Sequence, residues 1–268
     1  MQTAILNKQG GRKYNEDSCA HLELNSCLGC WVVADGLGGH GGGDVASNLV
    51  IETMLNTFKE NPSLETDTLQ LQFSKAQEVI VEAQKNSLKL SKMQSTVATL
   101  IIHNNQALWG YIGDTRLYYF NNGQLQKQTK DHSVPQMLVN AGEITTSQIR
   151  NHEDRNRLLR SLGGSEPIKP NLEQEPIFIY PGDAFLLCTD GFWEYILENE
   201  MITYLKQTDS AQDWLDMMEV RLLEKVAERN DNYSAIAITI GDDNCQLSHS
   251  NNSILTKVLC KTQRFFKK

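Results

Sequence analysis

What the chain lacks narrows its class first. It has no apolar run of the roughly 18 residues that a transmembrane helix requires. Its first residues, Met1-Gln2-Thr3-Ala4-Ile5-Leu6-Asn7-Lys8, lack the basic start and long apolar core of a secretory signal. A cytoplasmic location is therefore expected. Positive charge is in short supply: 25 Lys and Arg stand against 33 Asp and Glu, a net charge of −8, which argues against nucleic acid as a partner. A zinc pattern is missing too. Cys27 and Cys30 form a CxxC with no second pair among the six cysteines, so reduced thiols are expected, with Cys188 a core residue. The remaining composition, 40% hydrophobic and 22% charged over 268 residues, is that of a soluble globular protein with room for one large domain or two small ones.

What is present concentrates first in residues 31–44. The apolar run Trp31-Val32-Val33-Ala34 ends at Asp35, six glycines follow between Gly36 and Gly43, and a helical pattern comes next. This reads as a buried strand delivering Asp35 to a sheet edge. The turn after it is so poor in side chains that its backbone can approach a ligand closely. Gly36-x-Gly38-x-x-Gly41 also satisfies the dinucleotide-binding pattern. Against that, Asp35 would face a pyrophosphate, and no strand ending in Asp or Glu follows about 20 residues on. The phosphate-loop reading fails because no Gly-Lys-Ser/Thr follows. A carboxylate before an open glycine turn better suits a hard cation held by oxygen atoms.

Elsewhere, strand and helix periods alternate. Residues 3–6, 19–24 and 30–35 read as strands, the last two as a hairpin. Ala46, Leu49, Val50, Met54 and Phe58 mark one helix face, and Leu69, Phe73, Ala76, Ile80 and Ala83 mark another. Two successive helices disfavour a strict βαβ alternation. Residues 96–103, 107–112, 116–120 and 124–128 predict an antiparallel meander with Asp114 at one tip and a hairpin turn at Asn121-Asn122-Gly123. Residues 130–176 are polar and irregular, with a short helix around 134–141 and the basic Arg150, Arg155, Arg157 and Arg160. A stretch of this length inside a domain predicts a flap over a site. Strands at 177–180 and 184–189 flank a Pro181-Gly182-Asp183 turn, a helix carries Leu215, Met218, Leu222 and Val226, and a last strand covers 233–240.

Five acidic turns border these strands: Glu16-Asp17, Asp35-Gly36, Gly113-Asp114, Asp190-Gly191 and Asp231-Asn232. A single Asp in a turn is most often only a turn former. In an antiparallel sandwich, however, several strand ends can meet at one rim, where gathered carboxylates repel one another unless cations neutralise them. Oxygen ligands without a His/Cys cluster favour Mg²⁺ or Mn²⁺, and two such ions would support hydrolysis by water.

The set Arg12-x-x-Asn15-Glu16-Asp17, Asp35-Gly36-x-Gly38-Gly39-His40, Gly113-Asp114-Thr115-Arg116, Thr189-Asp190-Gly191 and Asp231-Asn232 closely resembles the bacterial form of the type 2C metal-dependent protein serine/threonine phosphatases. The resemblance runs in order from about residue 3 to residue 240. It implies an α+β fold: two packed antiparallel β-sheets flanked by helices on both sides, an α-β-β-α sandwich with a binuclear Mn²⁺ or Mg²⁺ site at one end. By the same resemblance, Asp35 would bridge both metals, the Gly36 carbonyl would ligate one, and Asp190 and Asp231 the other. Glu16 and Asp17 would hold metal-bound waters, and Arg12 would fork onto the substrate phosphate. Asp114 would belong to a third, weaker metal site shared with Asp190, with Glu194 joining through water. A hydroxide bridging the metals would attack phosphorus in line, so neither Cys19 nor Cys188 is needed as a nucleophile. His40 could protonate the leaving alkoxide or position water, or merely pack beside the glycine turn. Thr115 stands where the family commonly has Ser. Asp131-His132-Ser133 is no hydrolase triad, because adjacent residues cannot stack their side chains into that geometry. The implied substrates are phosphoserine and phosphothreonine proteins, the implied counterpart is a bacterial Ser/Thr kinase, and the chain is expected to act as a monomer.

Two other classes compete. A non-catalytic phosphatase-like module that regulates a partner should have lost at least one ligand, and every one is present. A metal phosphodiesterase or nuclease is opposed by the negative charge and the lack of an aromatic–basic groove. The expected organisation is a phosphatase domain over 1–240, a polar linker over 241–253 and a basic amphipathic tail over 254–268. In the tail, Ile254, Leu255, Val258, Leu259, Thr262, Phe265 and Phe266 recur on one helical face. Lys257, Lys261, Arg264 and Lys268 occupy the opposite one, and Lys267 adds a fifth charge. Such a segment could lie on an anionic membrane surface, dock into a partner's groove, or fold back onto the acidic body.

Overall fold

The computed structural model of the protein describes residues 1–38, 42–226 and 230–241. Strands there form two antiparallel sheets. The first has the order β1 (Gln2–Lys8), β11 (Tyr233–Thr239), β10 (Ala184–Cys188), β6 (Arg116–Asn121) and β7 (Gln124–Gln128). The second runs β2 (Asp17–Asn25), β3 (Leu28–Leu37), β4 (Gln94–His103), β5 (Gln106–Ile112) and the short β8 (Asn171–Leu172), with β9 (Ile177–Phe178) also paired to β5. Helices α1 (Gly43–Glu60) and α2 (Thr66–Asn86) cover the outer face of the second sheet. The outer face of the first is covered by α3 (Val134–Ala141), α4 (Asp190–Trp193), α5 (Glu198–Leu205) and α6 (Ala211–Lys225). This is the expected α-β-β-α sandwich.

Strand alternation explains why four layers form. In β3, Cys30, Val32 and Ala34 face the α1–α2 core, whereas Trp31 and Val33 face the space between the sheets. In β10, Leu186 and Cys188 join the core on the outer face of the first sheet, while Phe185 and Leu187 join the inter-sheet core. Strands buried on both faces need apolar residues at every position, which is why these segments read as continuous apolar runs rather than alternating ones. Small residues Ala4, Ala235 and Ala237 line the outer face of the first sheet and let Trp214, Leu215 and Met218 of α6 approach it closely.

Two local expectations need correction. Residues 94–128 are not one meander: β4 and β5 belong to the second sheet, β6 and β7 to the first, and the chain crosses between them at Gly113-Asp114-Thr115. Gly113 has φ +98°, a conformation that glycine adopts without penalty, and a Cβ there would strike Thr96. Strands β9 and β10 likewise lie on opposite sheets across Pro181-Gly182-Asp183. Asp35, finally, is not at a sheet edge. It lies two residues before the end of β3, an interior strand, flanked in register by Asp17 on β2 and Thr96 on β4. The rim it reaches is the end of the sandwich.

Cys30 and Cys188 are free, buried thiols, and burial pushes Cys30 up to about 11. Cys27 is disulfide-bonded, against the expectation of reduced thiols throughout. Among the described residues no helix is long and apolar enough to cross a membrane. His40, the linker beyond Gly241 and the basic tail lie outside those residues.

Candidate metal centre

The rim is assembled by hydrogen bonds that join distant parts of the chain. Asp17 faces Asp35 across the β2–β3 ladder. Its Oδ2 accepts from Thr189 Oγ1 at 2.7 Å, immediately before Asp190 opens α4. The Glu16 amide donates to Asn232 Oδ1 at 2.9 Å, while Asn232 Nδ2 donates to the carbonyls of Gln9 (2.7 Å) and Tyr14 (2.9 Å). Asn232 therefore stitches the 9–16 loop, with Arg12 and Glu16, to the Asp231 turn. The Gly36 amide donates to the Glu16 carbonyl at 3.0 Å. Asp114, 4% exposed, sits in the sheet-to-sheet crossing, where Thr115 and Thr96 share a hydroxyl hydrogen bond of 2.5 Å.

The electrostatics show how tightly the carboxylates are gathered. Burial raises the pKa of Asp35 well above the usual carboxylate range, and the charges of Asp17, Asp190, Asp114 and Asp231 raise it further. Asp190 is raised well above that range too, by burial and then by Asp114, Asp231, Glu194 and Asp17. Asp17 is pushed up to about 7, chiefly by burial, as is Asp114, where the charge of Asp131 adds to burial and Arg116 opposes it. Glu16 and Glu194 are also raised, mainly by burial. Five aspartates from both sheets thus share one low-dielectric rim. Glu16 flanks it, with Oε1 accepting from the Gly43 amide at 3.2 Å. Arg12 lies on the outer side, and its Nη2 donates to Asp231 Oδ2 at 2.5 Å. Burial disfavours the Arg12 charge, but Asp231, Asp190 and Glu16 more than compensate and raise its pKa.

Whether this rim suits a cation can be judged from its donors. Among the described residues no three His, Cys, Asp or Glu side chains already stand as a set able to hold a metal ion, and Arg12 occupies Asp231. The chemistry nevertheless fits: every clustered donor is oxygen, the carboxylates lie in a mutually repulsive field, and hard divalent cations relieve such a field. The glycine turn adds a carbonyl. A Cβ on Gly43 would strike both the Gly36 carbonyl oxygen and Glu16 Oε1, so the bare backbone at the start of α1 keeps these oxygens accessible.

Residues 130–176 contribute anchors that sequence patterns did not reveal. Arg116 and Asp131 form a buried bidentate pair at 2.8 and 2.7 Å, each side chain 2% exposed. The Arg116 guanidinium also stacks 3.4 Å above the Trp193 ring and donates to Tyr118 Oη at 3.1 Å. The His132 amide donates to the Gly113 carbonyl (2.8 Å) and its Nδ1 accepts from the Gly113 amide (3.0 Å), which fixes the turn before Asp114. Ser133 caps α3. Arg150 donates to the backbone carbonyls of Trp193 and Ile196 and to Glu198, and Arg155 Nε donates to Glu194 Oε1 at 3.1 Å. Thr189 and Asn232 stand inside the sequence motifs, but their roles as hydrogen-bonding supports, like that of Trp193, come only from contacts with remote parts of the chain.

An α-β-β-α sandwich with aspartates from both sheets on one rim defines the class of the type 2C phosphatases. A family profile described as Protein phosphatase 2C matches residues 9–231, and the chain belongs to that family. It is 32% identical over 214 residues to the serine/threonine phosphatase Stp of Listeria welshimeri, a match covering 77% of this chain and 83% of that one. Among solved structures, the serine/threonine phosphatase PstP/Ppp of Mycobacterium tuberculosis superposes with a TM-score of 0.77 at 26% identity, covering 90% of this chain and 98% of that one. The PstP catalytic domain in complex with two manganese ions gives 0.75 at 26% identity, over 90% and 98% of the two chains. Stp1 of Staphylococcus aureus, at 24% identity, has the same fold, with a TM-score of 0.81 over 90% of this chain and 95% of that one.

Proposed function

We propose that the chain hydrolyses phosphoserine and phosphothreonine in proteins with the help of Mn²⁺ or Mg²⁺, and that it opposes a Ser/Thr kinase in the cytoplasm. The observation that carries this reading is the convergence of Asp17, Asp35, Asp114, Asp190 and Asp231 on one rim, each of the first four with its carboxyl pKa raised. Asp35, the Gly36 carbonyl, Asp190 and Asp231 would hold two cations directly, Glu16 and Asp17 through water, and Asp114 a third, weaker one with Asp190. When bound, the cations supply the positive charge this field calls for and activate water for attack on phosphorus. Arg12, permanently charged and planar, would exchange Asp231 for the substrate phosphate, to which it can donate two parallel hydrogen bonds. Residues 130–176 border the same rim and would act as its flap.

The test uses the purified protein with Mn²⁺ and three substrates: p-nitrophenyl phosphate, bis(p-nitrophenyl) phosphate and a phosphothreonine peptide. The monoester and the peptide should be turned over, and chelation should stop both. Faster turnover of the diester would assign a phosphodiesterase. Silence on all three with Mn²⁺ bound would assign a non-catalytic module.

A further inference from the structure

Asp114 and Asp190 reach the rim from different places, Asp114 from the crossing between the sheets and Asp190 from the start of α4. The charge of Asp114 is the largest charge acting on Asp190, so the two carboxylates repel one another and need support to stay together. Trp193 is placed to provide it. It lies within the single turn of α4 that begins at Asp190, and its amide donates to the Thr189 carbonyl at 3.2 Å. Its indole Nε1 donates to the Asp114 backbone carbonyl at 2.9 Å in a fully buried bond. One ring face carries the Arg116 guanidinium, itself pinned by Asp131. The Trp193 carbonyl accepts from Arg150 Nε at 3.0 Å, which reaches it from residues 130–176. The Trp193 side chain is thus tied to the Asp114 turn, while its main-chain amide and carbonyl tie the same residue to the start of α4 and to Arg150.

We infer that Trp193 is a positioning residue: it sets the separation of the Asp114 and Asp190 carboxylates and transmits the position of the flap to them through Arg150. The inference rests on the proposed role of Asp114 in holding a cation. What only an indole provides is an N–H at the ring edge that reaches the Asp114 carbonyl while its face stacks on Arg116. Groups that orient metal-binding side chains typically alter affinity by about 10- to 100-fold when removed.

The experiment is a Mn²⁺ binding isotherm, recorded by calorimetry well below the unfolding midpoint, for the wild type, Trp193→Phe, Asp114→Asn and the double variant. Phe keeps the ring over Arg116 and removes only the N–H. The weakest Mn²⁺ binding step should weaken about tenfold in Trp193→Phe and should weaken in Asp114→Asn too, with no further loss in the double variant. The Mn²⁺ concentration for half-maximal activity should rise while KM for p-nitrophenyl phosphate stays unchanged. Should Trp193→Phe fail to fold, Arg150→Gln, which removes the bond to the Trp193 carbonyl together with those to Ile196 and Glu198, tests the strut from the flap side: it should shift the same step in the same direction, and an unshifted step would overturn the inference. A folded Trp193→Phe whose isotherm superposes on the wild type, or additive losses in the double variant, would overturn the inference. A wild-type isotherm in Asp114→Asn would remove the reading of Asp114 and the inference with it.

Discussion

Breaking the Arg116–Asp131 pair should destabilise the protein strongly, and the two ways of breaking it should depend differently on pH. Both side chains are 2% exposed and joined by two hydrogen bonds. Removing one partner of such a pair costs about 3–5 kcal/mol, because the other charge is left buried and unpaired. That is a large share of a domain stability of about 5–15 kcal/mol. The pH dependence comes from Asp114, whose carboxyl is pushed up to about 7 by burial, with the charge of Asp131 raising it further and Arg116 opposing. A raised carboxyl pKa means that the unfolded state releases its proton first, so stability is lost as pH rises from the unfolded to the folded pKa. Asp131→Asn removes the charge that raises Asp114, so its penalty should be larger at pH 5.5 than at pH 8. Arg116→Met removes the charge that holds Asp114 down, so its penalty should be smaller at pH 5.5 than at pH 8. Replacing both residues, as Arg116→Met with Asp131→Leu, should recover much of the loss. Urea unfolding of the chelator-treated protein, followed by tryptophan fluorescence at the two pH values, measures all three. Single-variant penalties below about 1 kcal/mol, the level of an exposed pair, would refute the reasoning. So would a pH dependence in Asp131→Asn equal to that of Arg116→Met.

Three further outcomes are expected. Asp35→Asn should abolish Mn²⁺-dependent turnover and yet raise the melting temperature of the chelator-treated protein, since it removes one charge from a repulsive cluster; near wild-type turnover at saturating Mn²⁺ would remove Asp35 from the centre. Arg12→Ala should lower kcat/KM by about one to two decades, the loss of a charge-assisted contact of roughly 1.5–3 kcal/mol, and an unaltered kcat/KM would place the phosphate elsewhere. Truncation after Gly241 should leave hydrolysis of p-nitrophenyl phosphate unchanged and remove salt-sensitive binding to anionic liposomes, whereas a full-length protein that ignores such liposomes at low salt would exclude the membrane role of the tail.

Much of the architecture was legible because each buried segment declares its own period. The faces predicted for α1 and α2 are those buried in the structure, with Ala46, Val50, Met54 and Phe58 on one helix and Leu69, Phe73, Ala76 and Ile80 on the other. Sheet membership was not legible. The strands on either side of Asp114 look like neighbours in sequence, and only contacts with remote strands send β5 to one sheet and β6 to the other. The acidic turns stood out because glycine or asparagine accompanies most of them. The partners that support them were not legible. Asp131 lies 15 residues from Arg116, Thr189 is 172 residues from Asp17, and Asn232, visible in its own turn, is 216 from Glu16. Pairings of that span are fixed by the finished sandwich, and nothing in the local residue pattern announces them.

The order of strands in the first sheet has a consequence for how the protein comes into being. Strand β11, the last among the described residues, is inserted between β1 and β10 rather than added at an edge. Until it is made, β1 has no neighbour in its sheet, and the Asp231 and Asn232 that precede β11 are missing from the rim. A ribosome-bound chain short of residue 240 would therefore hold Arg12, Asp35 and Asp190 without the strand that aligns them. Pairings that span nearly the whole chain also close slowly. The first sheet and the rim are then completed in one step, when the strand made last among the described residues takes a place in the middle.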